Sequence, residues 1–516
     1  MKQVLKLFSN RIVIVSFLIL LQLLIVISGV YMISTVWINA NLLFGVFSIL
    51  IAIYVINRSD NPSYKISWAV MIIGFPMIGW LLYLMFGAKQ VPKSLRQRDH
   101  DLEEEMALYI EHNNSVFSNN EEIDLQNFDR NAYKQSNYIW NASNFPPYAK
   151  TETVFFKTGE EKFEEMMVQL EKAEHFIFLE YFILAQGYML DTLVDCLKRK
   201  VKQGVDVRFL YDDFGALSKL PPKYNEYLNA QGIKCKVFNP LRARLAVQMN
   251  NRDHRKILVV DGRIAMTGGV NIADEYINRI ERFGHWKDGG CMIEGEAVWS
   301  FTLMFLQFWN FDEKKKDVYH TYQLPKEAFQ HIENDGIVQP YSDSPTDDEN
   351  VGKCAHVNLV NSASRYVYIT TPYLVIDSEM KMSLKLAAKN GVDVRILVPH
   401  IPDKWYVFQL TRHNYQELTK SGVRIYEYTP GFVHAKNFIA DDKYAIVGTT
   451  NMDFRSYYLH YECGVWFYKS KLIKDIKKDY LDTLKQSCEV TYEDCMRVKI
   501  PVRILRSILN IFAPLM

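Results

Sequence analysis

Residues 251–271 read NRDHRKILVVDGRIAMTGGVN, and residues 431–451 read GFVHAKNFIADDKYAIVGTTN. Both stretches contain a His, a Lys two residues later, an Asp five residues beyond that Lys, and a closing Gly-x-x-Asn at matched offsets. Core packing alone would preserve apolar positions in a repeat, so the repetition of polar positions indicates chemistry. The repeated residues are His254, Lys256, Asp261, Gly268 and Asn271 in the first copy and His434, Lys436, Asp441, Gly448 and Asn451 in the second.

Each copy is predicted to form a β-hairpin. Aliphatic residues follow each Lys, Asp261-Gly262 is a tight-turn signal, and a second apolar run leads to the Gly. Side chains alternate faces along a strand, so the His and the Lys of each copy point the same way. We expect the Gly to let backbone approach a ligand and the Asn amide to donate to a phosphate oxygen.

The repeat extends over most of the chain. Between strand-like pieces lie helical patterns, such as 190–202 and 380–389, and each runs into a Gly suited to a helix C-terminus. Strand, helix, Gly and strand in repetition predict an α/β fold of two homologous sandwich halves related by a pseudo-twofold axis. The predicted regions are a membrane region at 1–90, a juxtamembrane connector at 91–149, the halves at 150–320 and 335–490, and a basic amphipathic tail at 497–516.

Composition limits the classes of partner. The formal net charge of the 516 residues is only +1, so no global field recruits nucleic acid, and an anionic partner must meet local patches. The seven cysteines are scattered and form no Cys-x-x-Cys pair, which disfavours a disulfide framework or a zinc site. Reduced, mostly buried thiols favour a catalytic portion that faces the cytosol.

Three apolar segments open the chain, at about 12–36, 41–57 and 66–87, against the roughly 20 residues that cross a bilayer core. They predict a multi-pass membrane protein. The middle segment is marginal as a span, and Gly74, Pro76 and Gly79 mark the third as a possible bent element. The number of true spans is two or three. With two, the basic flanks before the first segment and after the third lie on the same side of the membrane, and we therefore favour a cytosolic catalytic portion.

The C-terminal tail is basic on one side and apolar on the other at helical spacing. One interpretation is a helix packed on the protein's own core. We favour a helix in the interface of an anionic membrane, because Lys and Arg lie beside large apolar residues at a chain end.

If the halves meet about a pseudo-twofold axis, the two histidines can flank one phosphorus atom. One neutral imidazole would attack phosphorus and form a phosphohistidine, while the other would protonate the departing alkoxide and later deprotonate the incoming alcohol. Lys256 and Lys436 would stabilise charge on the non-bridging oxygens. The sequence has no metal-binding or nucleotide-binding motif, so we expect no metal and no cofactor.

Carboxylates that orient the imidazoles must lie near their second ring nitrogens. The candidates are Asp288 and Glu462, each on the strand-like segment after its hairpin. Glu180 is a further cleft candidate, although a lone strand Glu is equally suited to a structural role. Asp261 and Asp441 occupy the predicted turns, which favours a structural role for both.

The paired His-x-Lys-x-x-x-x-Asp motifs with a following Gly-x-x-Asn resemble the phospholipase D superfamily. Together with the N-terminal apolar segments, residues 180–182, 371–373 and 451–456 make the chain similar, more narrowly, to the bacterial cardiolipin synthases. The likeness runs from about residue 41 to the end. The first apolar segment is additional to the commoner two-segment pattern of that family.

The resemblance implies that two phosphatidylglycerol molecules give cardiolipin and glycerol. It also implies that His254 is the nucleophile and His434 the acid and base, and it places Asp261 and Asp441 within the catalytic motif. The alternatives are a membrane phospholipase D that hands the intermediate to water, a nuclease, which the charge disfavours, and a non-catalytic membrane scaffold with a degenerate site.

Overall fold

The computed structural model describes residues 38–76, 78–87, 129–240, 251–311, 317–347 and 349–515, with scattered residues between 20 and 109. The first predicted apolar segment and most of the predicted connector lie outside these described residues. Helix α1 (Ile38–Ile56) corresponds to the second apolar segment. Within the described part of the chain, no helix has both the length and the apolar character that crossing a membrane requires.

The third apolar segment is bent. Helix α2 (Pro62–Gly74) is followed by the short helix α3 (Gly79–Leu82) and a π-helical turn (Tyr83–Gly87). Asn61 begins α2 by accepting a hydrogen bond from the Ser63 amide, 2.9 Å away. A Cβ atom on Gly79 would lie 2.3 Å from the Met71 carbonyl oxygen, so only glycine allows this close reversal of the chain.

The first half is a seven-stranded sheet in the order β1-β9-β7-β6-β2-β3-β4, preceded by helix α4 (Arg130–Ser143). Its strands are β1 (Thr151–Phe156), β2 (Phe176–Tyr181), β3 (Asp206–Asp212), β4 (Lys234–Phe238), β5 (Arg252–Asp253), β6 (Lys256–Val260), β7 (Ile264–Gly268), β8 (His285–Lys287) and β9 (Gly290–Gly295), where β5 and β8 lie outside the sheet. Its helices are α5 (Gly159–Lys172), α6 (Tyr188–Lys202), α7 (Asp213–Ala216), α8 (Tyr224–Ala230) and α9 (Val298–Asn310), with 3₁₀ turns at Asp274–Ile277, Tyr319–Tyr322 and Lys326–Phe329.

The second half repeats that strand order as β10-β19-β17-β16-β11-β13-β14 and adds β20 at the edge. Its strands are β10 (Ile337–Asp343), β11 (Tyr366–Thr370), β12 (Leu374–Val375), β13 (Asp393–Pro399), β14 (Arg424–Tyr428), β15 (Gly431–Val433), β16 (Asn437–Ala440), β17 (Tyr444–Gly448), β18 (Met452–Asp453), β19 (His460–Tyr468) and β20 (Ser487–Val490). Its helices are α10 (Val351–Ser362), α11 (Ser378–Lys389), α12 (Trp405–Lys420), α13 (Phe454–Tyr458), α14 (Leu472–Leu484), α15 (Tyr492–Met496) and α16 (Ile500–Phe512), with a 3₁₀ turn at Ala513–Leu515. The predicted α/β fold with two homologous halves is confirmed.

The halves exchange short strands where they meet. Strand β5 of the first half runs parallel to the start of β19, and β15 of the second half runs parallel to β8. The His254 amide donates to the Tyr461 carbonyl oxygen at 2.9 Å, and the His434 amide donates to the Lys287 carbonyl oxygen at 2.7 Å. Each motif histidine is therefore tied to the opposite half by one backbone hydrogen bond, and the two bonds are equivalent.

Apolar burial joins the halves into one core. Every residue of α9 is buried, and its side chains share a cluster with strands of both sheets. Burial of this kind contributes about 25 cal/mol per Å² of apolar surface. All seven cysteines are free thiols, and five of them are buried, as the sequence predicts.

The tail helix α16 contacts the protein with one face. Arg506 Nε donates to Gln409 Oε1 at 2.9 Å, and Ser67 Oγ donates to the Ile511 carbonyl oxygen at 2.6 Å. Ile500, Ile504 and Ile508 are 51–70% exposed on the other face. The tail thus joins α2 to α12 and still presents an apolar surface.

Candidate active site

A cavity of about 430 Å³ lies between the halves, and both motif histidines line it. His254 stands between β5 and β6, and His434 stands between β15 and β16. Each therefore follows an exchanged strand and precedes a strand of its own sheet. This arrangement brings two side chains 180 residues apart in sequence to one cavity.

Each histidine is held by a carboxylate of the other half. His254 Nδ1 donates to Glu462 at 2.9 Å, and His434 Nδ1 donates to Asp288 Oδ2 at 2.7 Å. Both carboxylates are fully buried. The bonds fix the tautomer that leaves Nε2 of each ring unprotonated and able to act as a nucleophile or a base. Asp288 and Glu462, the sequence candidates for orienting the histidines, thus contact the imidazoles across the interface between the halves.

Both imidazoles are held in the neutral form. Burial lowers the pKa of His254 well below its ordinary value, and Lys256 and Lys436 lower it further. Burial and Lys436 also lower the pKa of His434 to about 4, although Asp288 opposes them. A neutral imidazole is the form that attacks phosphorus or accepts a proton.

The motif lysines are buried beside the histidines. Burial lowers the pKa of Lys256 to about 8 and that of Lys436 to about 7, against the attraction of nearby carboxylates. Lys436 Nζ lies 3.1 Å from His434 Nε2, and Lys256 Nζ donates to the His254 carbonyl oxygen. An anion in the cavity would favour the charged form of both ammonium groups.

The two motif asparagines differ in their contacts. Both line the cavity. Asn271 accepts from the Ile183 amide at 2.9 Å and donates to the Tyr276 hydroxyl at 2.8 Å, so both of its amide atoms bind protein. The buried Asn451 Oδ1 has no hydrogen-bond partner among the described residues. The unpartnered atom of Asn451 is therefore an acceptor, whereas both amide atoms of Asn271 bind protein.

The motif glycines serve the sheets and not a ligand. Gly268 has a φ of +133°, and a Cβ atom there would lie 2.4 Å from the Gly290 Cα atom. A Cβ on Gly448 would lie 2.6 Å from the Cys463 carbonyl oxygen. The expectation that these glycines admit a ligand is wrong, because the neighbouring strands β9 and β19 already fill that space.

Asp261 and Asp441 lie at the hairpin turns and outside the cavity wall. Asp261 accepts from the backbone amides of residues 174–176 at 2.7–2.8 Å, and Asp441 accepts from those of residues 364–366 at 2.7–3.0 Å. Both residues have a positive φ, 52° and 57°. These carboxylates tie each turn to the start of the neighbouring strand, and neither reaches the histidines.

Glu180 is fully buried on β2 and does not line the cavity. It accepts from Arg255 Nε at 2.6 Å, and this guanidinium is also fully buried. Burial raises the pKa of Glu180 well above its ordinary value, although Arg255 opposes this. These contacts favour a structural role for Glu180, which pairs with Arg255 in the protein interior next to the site.

Ring side chains enclose the histidines. Phe182 and His460 lie 5.0 and 5.4 Å from the His254 ring, and Tyr276 and Trp286 lie 5.4 and 5.5 Å from the His434 ring. His460 and Trp286 each stand two residues before an orienting carboxylate. That shared offset is the signal in the sequence that could have identified them.

One group of metal-type ligands touches the site. His254, His460 and Glu462 bring one ligand atom each within 4.8 Å of one another. Lys256 and Lys436 are buried beside the histidines and outside the cavity wall, and their charges lower the pKa of His254. A divalent cation would meet the same repulsion, so the donor set suits an anionic phosphate better than a metal.

The chain matches the family model described as cardiolipin synthase, phospholipase D-like domain, over residues 166–281 and 357–483. A second model, phospholipase D-nuclease N-terminal, matches residues 46–87. Among solved structures, phosphatidylserine synthase of Haemophilus influenzae has a TM-score of 0.56 at 14% identity, covering 74% of this chain and all of that one. That likeness shows a shared fold.

An uncharacterized protein of Streptococcus mutans is 42% identical over 90% of this chain and 99% of its own length. A cardiolipin synthase of a Geobacillus species is 35% identical, covering 91% of this chain and 92% of its own. A cardiolipin synthase of Halalkalibacterium halodurans is 33% identical over 96% of this chain and 99% of its own. The chain therefore belongs to the cardiolipin synthase family of the phospholipase D superfamily and is a phosphatidyltransferase acting on phospholipid.

Proposed function

We propose that the protein transfers a phosphatidyl group from one phosphatidylglycerol to a second, giving cardiolipin and glycerol through a phosphohistidine on His254. The observation that carries the proposal is the crossed pairing of each histidine with a carboxylate of the other half. It sets two imidazoles at one cavity, and a double displacement at phosphorus needs one as the nucleophile and the other as the acid and base.

In the first step, His254 Nε2 attacks the phosphorus of the donor. The bond from phosphorus to the oxygen of the headgroup glycerol breaks. His434 supplies the proton that the departing glycerol alkoxide takes up. Because binding of an anionic phosphodiester raises the pKa of both buried imidazoles, His434 can carry that proton in the complex. Asp288 favours this role, since its contact with His434 raises the pKa of that imidazole.

In the second step, a hydroxyl of the acceptor headgroup attacks the phosphorus. Its proton passes to His434, the nitrogen–phosphorus bond breaks, and His254 returns to its neutral form. One phosphodiester is formed for each one broken, so the reaction needs no nucleotide. If water attacked the phosphohistidine in place of the acceptor hydroxyl, the product would be phosphatidic acid.

Lys256, Lys436 and Asn451 are proposed to bind the non-bridging phosphate oxygens. The lysines lie beside the histidines, and Asn451 lines the cavity, where its Nδ2 group is the amide group able to donate to a phosphate oxygen. Preorganised donors in a water-poor site stabilise the charge that develops on those oxygens. Asn271 is proposed to act through its bonds to Tyr276 and the Ile183 amide, which shape the same wall.

We further propose that the protein is a multi-pass protein of the bacterial plasma membrane, with its catalytic halves in the cytosol. Helices α1, α2 and α16 all expose large apolar side chains, such as Leu43, Ile66 and Ile500 at 59–70% exposure. Burying such surface in lipid is favourable by about 25 cal/mol per Å².

Full-length protein should float with anionic lipid vesicles, and protease should cut the halves in inverted vesicles. Cleavage only in right-side-out vesicles would contradict the cytosolic placement.

The activity is tested with phosphatidylglycerol labelled in its headgroup, supplied to membranes that contain the protein. Wild-type protein should release labelled glycerol and form cardiolipin, and His254→Ala should do neither. His331→Ala, which changes an exposed histidine outside the cavity wall, is the matched control and should match wild type. Phosphatidic acid without cardiolipin would identify a hydrolase, and no product from folded wild-type protein would contradict the proposal.

A further inference from the structure

Arg455 lines the catalytic cavity at a position where the two halves diverge. It lies four residues after Asn451, near the start of α13. The residue four positions after Asn271 is Glu275, which lines the same cavity from the opposite half. The duplicated site therefore holds an acid at one of two equivalent positions and a base at the other.

The charge of Glu275 is neutralised within the protein. Its Oε1 atom lies 2.9 Å from Arg282 Nη1 and 3.4 Å from Lys219 Nζ. Burial raises the pKa of Glu275, but Lys219 and Arg282 outweigh this and place it below the ordinary value. This side of the cavity is thus internally paired and has little need of an ionic ligand.

Arg455 has no such carboxylate partner. The described cavity wall contains three arginines, and two of them form ion pairs, Arg282 with Glu275 and Arg252 with Asp212 at 3.5 Å. No described carboxylate lies within ion-pair distance of the Arg455 guanidinium, and Arg455 Nε lies 3.5 Å from His460 Nε2. One arginine of the wall is therefore left to meet a ligand.

The surroundings of Arg455 disfavour its charge. Burial lowers the pKa of this guanidinium, and the attraction of Asp453 and Tyr406 offsets only part of the effect. The paired Arg412 shows the contrast, because its hydrogen bonds to Glu427 outweigh burial and raise its pKa. A bound anion would offset the unfavourable desolvation of Arg455.

His460 links Arg455 to the reacting centre. Its ring lies 5.4 Å from that of His254, and burial lowers its pKa to about 3, so it is neutral. The buried His460 Nδ1 atom has no hydrogen-bond partner among the described residues. The Arg455 guanidinium therefore lies beside the His460 imidazole, which in turn lies beside the ring of the proposed nucleophile His254.

We propose that Arg455, positioned by His460, forms a second anion subsite that binds the phosphate of the acceptor phospholipid. This inference rests on the proposed function, in which the acceptor is itself a phosphodiester. When the acceptor hydroxyl attacks the phosphorus on His254, its own phosphate must lie nearby in the same cavity. The subsite makes the enzyme prefer an anionic lipid alcohol to a neutral alcohol or water.

Two reactions of the same enzyme separate this role from catalysis. Cardiolipin formation uses an acceptor with a phosphate, whereas exchange of labelled glycerol into phosphatidylglycerol uses an acceptor without one. Arg455→Gln should slow cardiolipin formation by about 10- to 100-fold, as expected for loss of a charge-assisted contact. Glycerol exchange should fall by less than about threefold, because it needs the first step and a neutral acceptor. Arg455→Lys should recover part of the loss.

Arg282→Gln is the matched control, because it removes a positive charge from the same wall at a position already paired with Glu275. It should change both reactions by the same factor. An equal loss of both reactions in Arg455→Gln, no loss in either, or the same selective loss in Arg282→Gln would overturn the subsite. Wild-type protein that exchanges glycerol and forms no cardiolipin would instead overturn the proposed function.

Discussion

The first half of the cavity places Glu275 beside Lys219 and Arg282, whereas the second places Arg455 beside a neutral histidine. The first half uses both amide atoms of Asn271 in protein contacts, and the second leaves an atom of Asn451 free. The residues that hold the two imidazoles remain equivalent. The duplication thus preserved the residues that hold the imidazoles and changed the polar side chains around them.

The largest expected effect comes from removing either histidine. His254→Ala and His434→Ala should each slow cardiolipin formation by about 10⁴-fold or more, because nucleophile and acid act as one unit. The double variant should be no slower than the single ones by more than about tenfold. Rates are measured with labelled phosphatidylglycerol in membranes. A single variant that keeps a tenth of wild-type activity would break the equivalence of the two histidines.

The crossed carboxylates should have the next largest effect. Asp288→Asn and Glu462→Gln keep side-chain volume but weaken the hold on the imidazole tautomer, and each should slow turnover by about 10²- to 10⁴-fold. The pH profile should change with the rate, which loss of stability alone would not cause. If Glu462→Gln kept full turnover and an unchanged profile, the orienting role would be wrong.

The lysines should set the alkaline limit of activity. Lys436 and Lys256 have pKa values lowered to about 7 and about 8, so they lose their charge as the pH rises through this range. We expect kcat/KM of wild type to fall above about pH 7, because a neutral amine binds phosphate poorly. It should also fall at acid pH, because protonation of the nucleophile His254, whose pKa lies well below its ordinary value, removes the lone pair that attacks phosphorus.

Lys436→Arg tests that assignment, because the guanidinium stays charged throughout. Its alkaline limb should move upward by about one pH unit, even though the changed geometry lowers the maximum rate. An unchanged limb would show that another group sets the limit.

The smallest effect on turnover is expected at the turn aspartates. Asp261→Asn and Asp441→Asn weaken contacts to three backbone amides each, and each should lower the free energy of unfolding by about 1–3 kcal/mol. The kcat of the folded fraction should change by less than about twofold. Asp442→Asn is the control, since Asp442 is itself 39% exposed and its ion pairs with Arg365 and Lys477 should together contribute about 1 kcal/mol or less. A large fall in kcat without a fall in stability would place these residues in the chemistry.

The repeat predicts the fold and the histidines because matched polar spacing in both copies carries the information. It could not predict which carboxylate holds which histidine. Asp288 and Glu462 are equally placed in sequence, and only the exchange of β5 and β15 decides the pairing. The same limit applies to Gly268, whose role depends on the strand beside it, and to Arg455, which is distinguished only in the folded cavity, where no described carboxylate pairs with it.

The proposed mechanism depends on a phosphatidyl group that is bonded covalently to His254 between the two steps. Acid-free quenching of wild-type protein during a single turnover of phosphatidylglycerol, followed by proteolysis and mass spectrometry, tests it directly. We predict a phosphatidyl group on the peptide that contains His254 and none on the corresponding peptide of His254→Ala. An adduct on His434 in wild-type protein, or cardiolipin formation without any adduct on His254, would contradict the account.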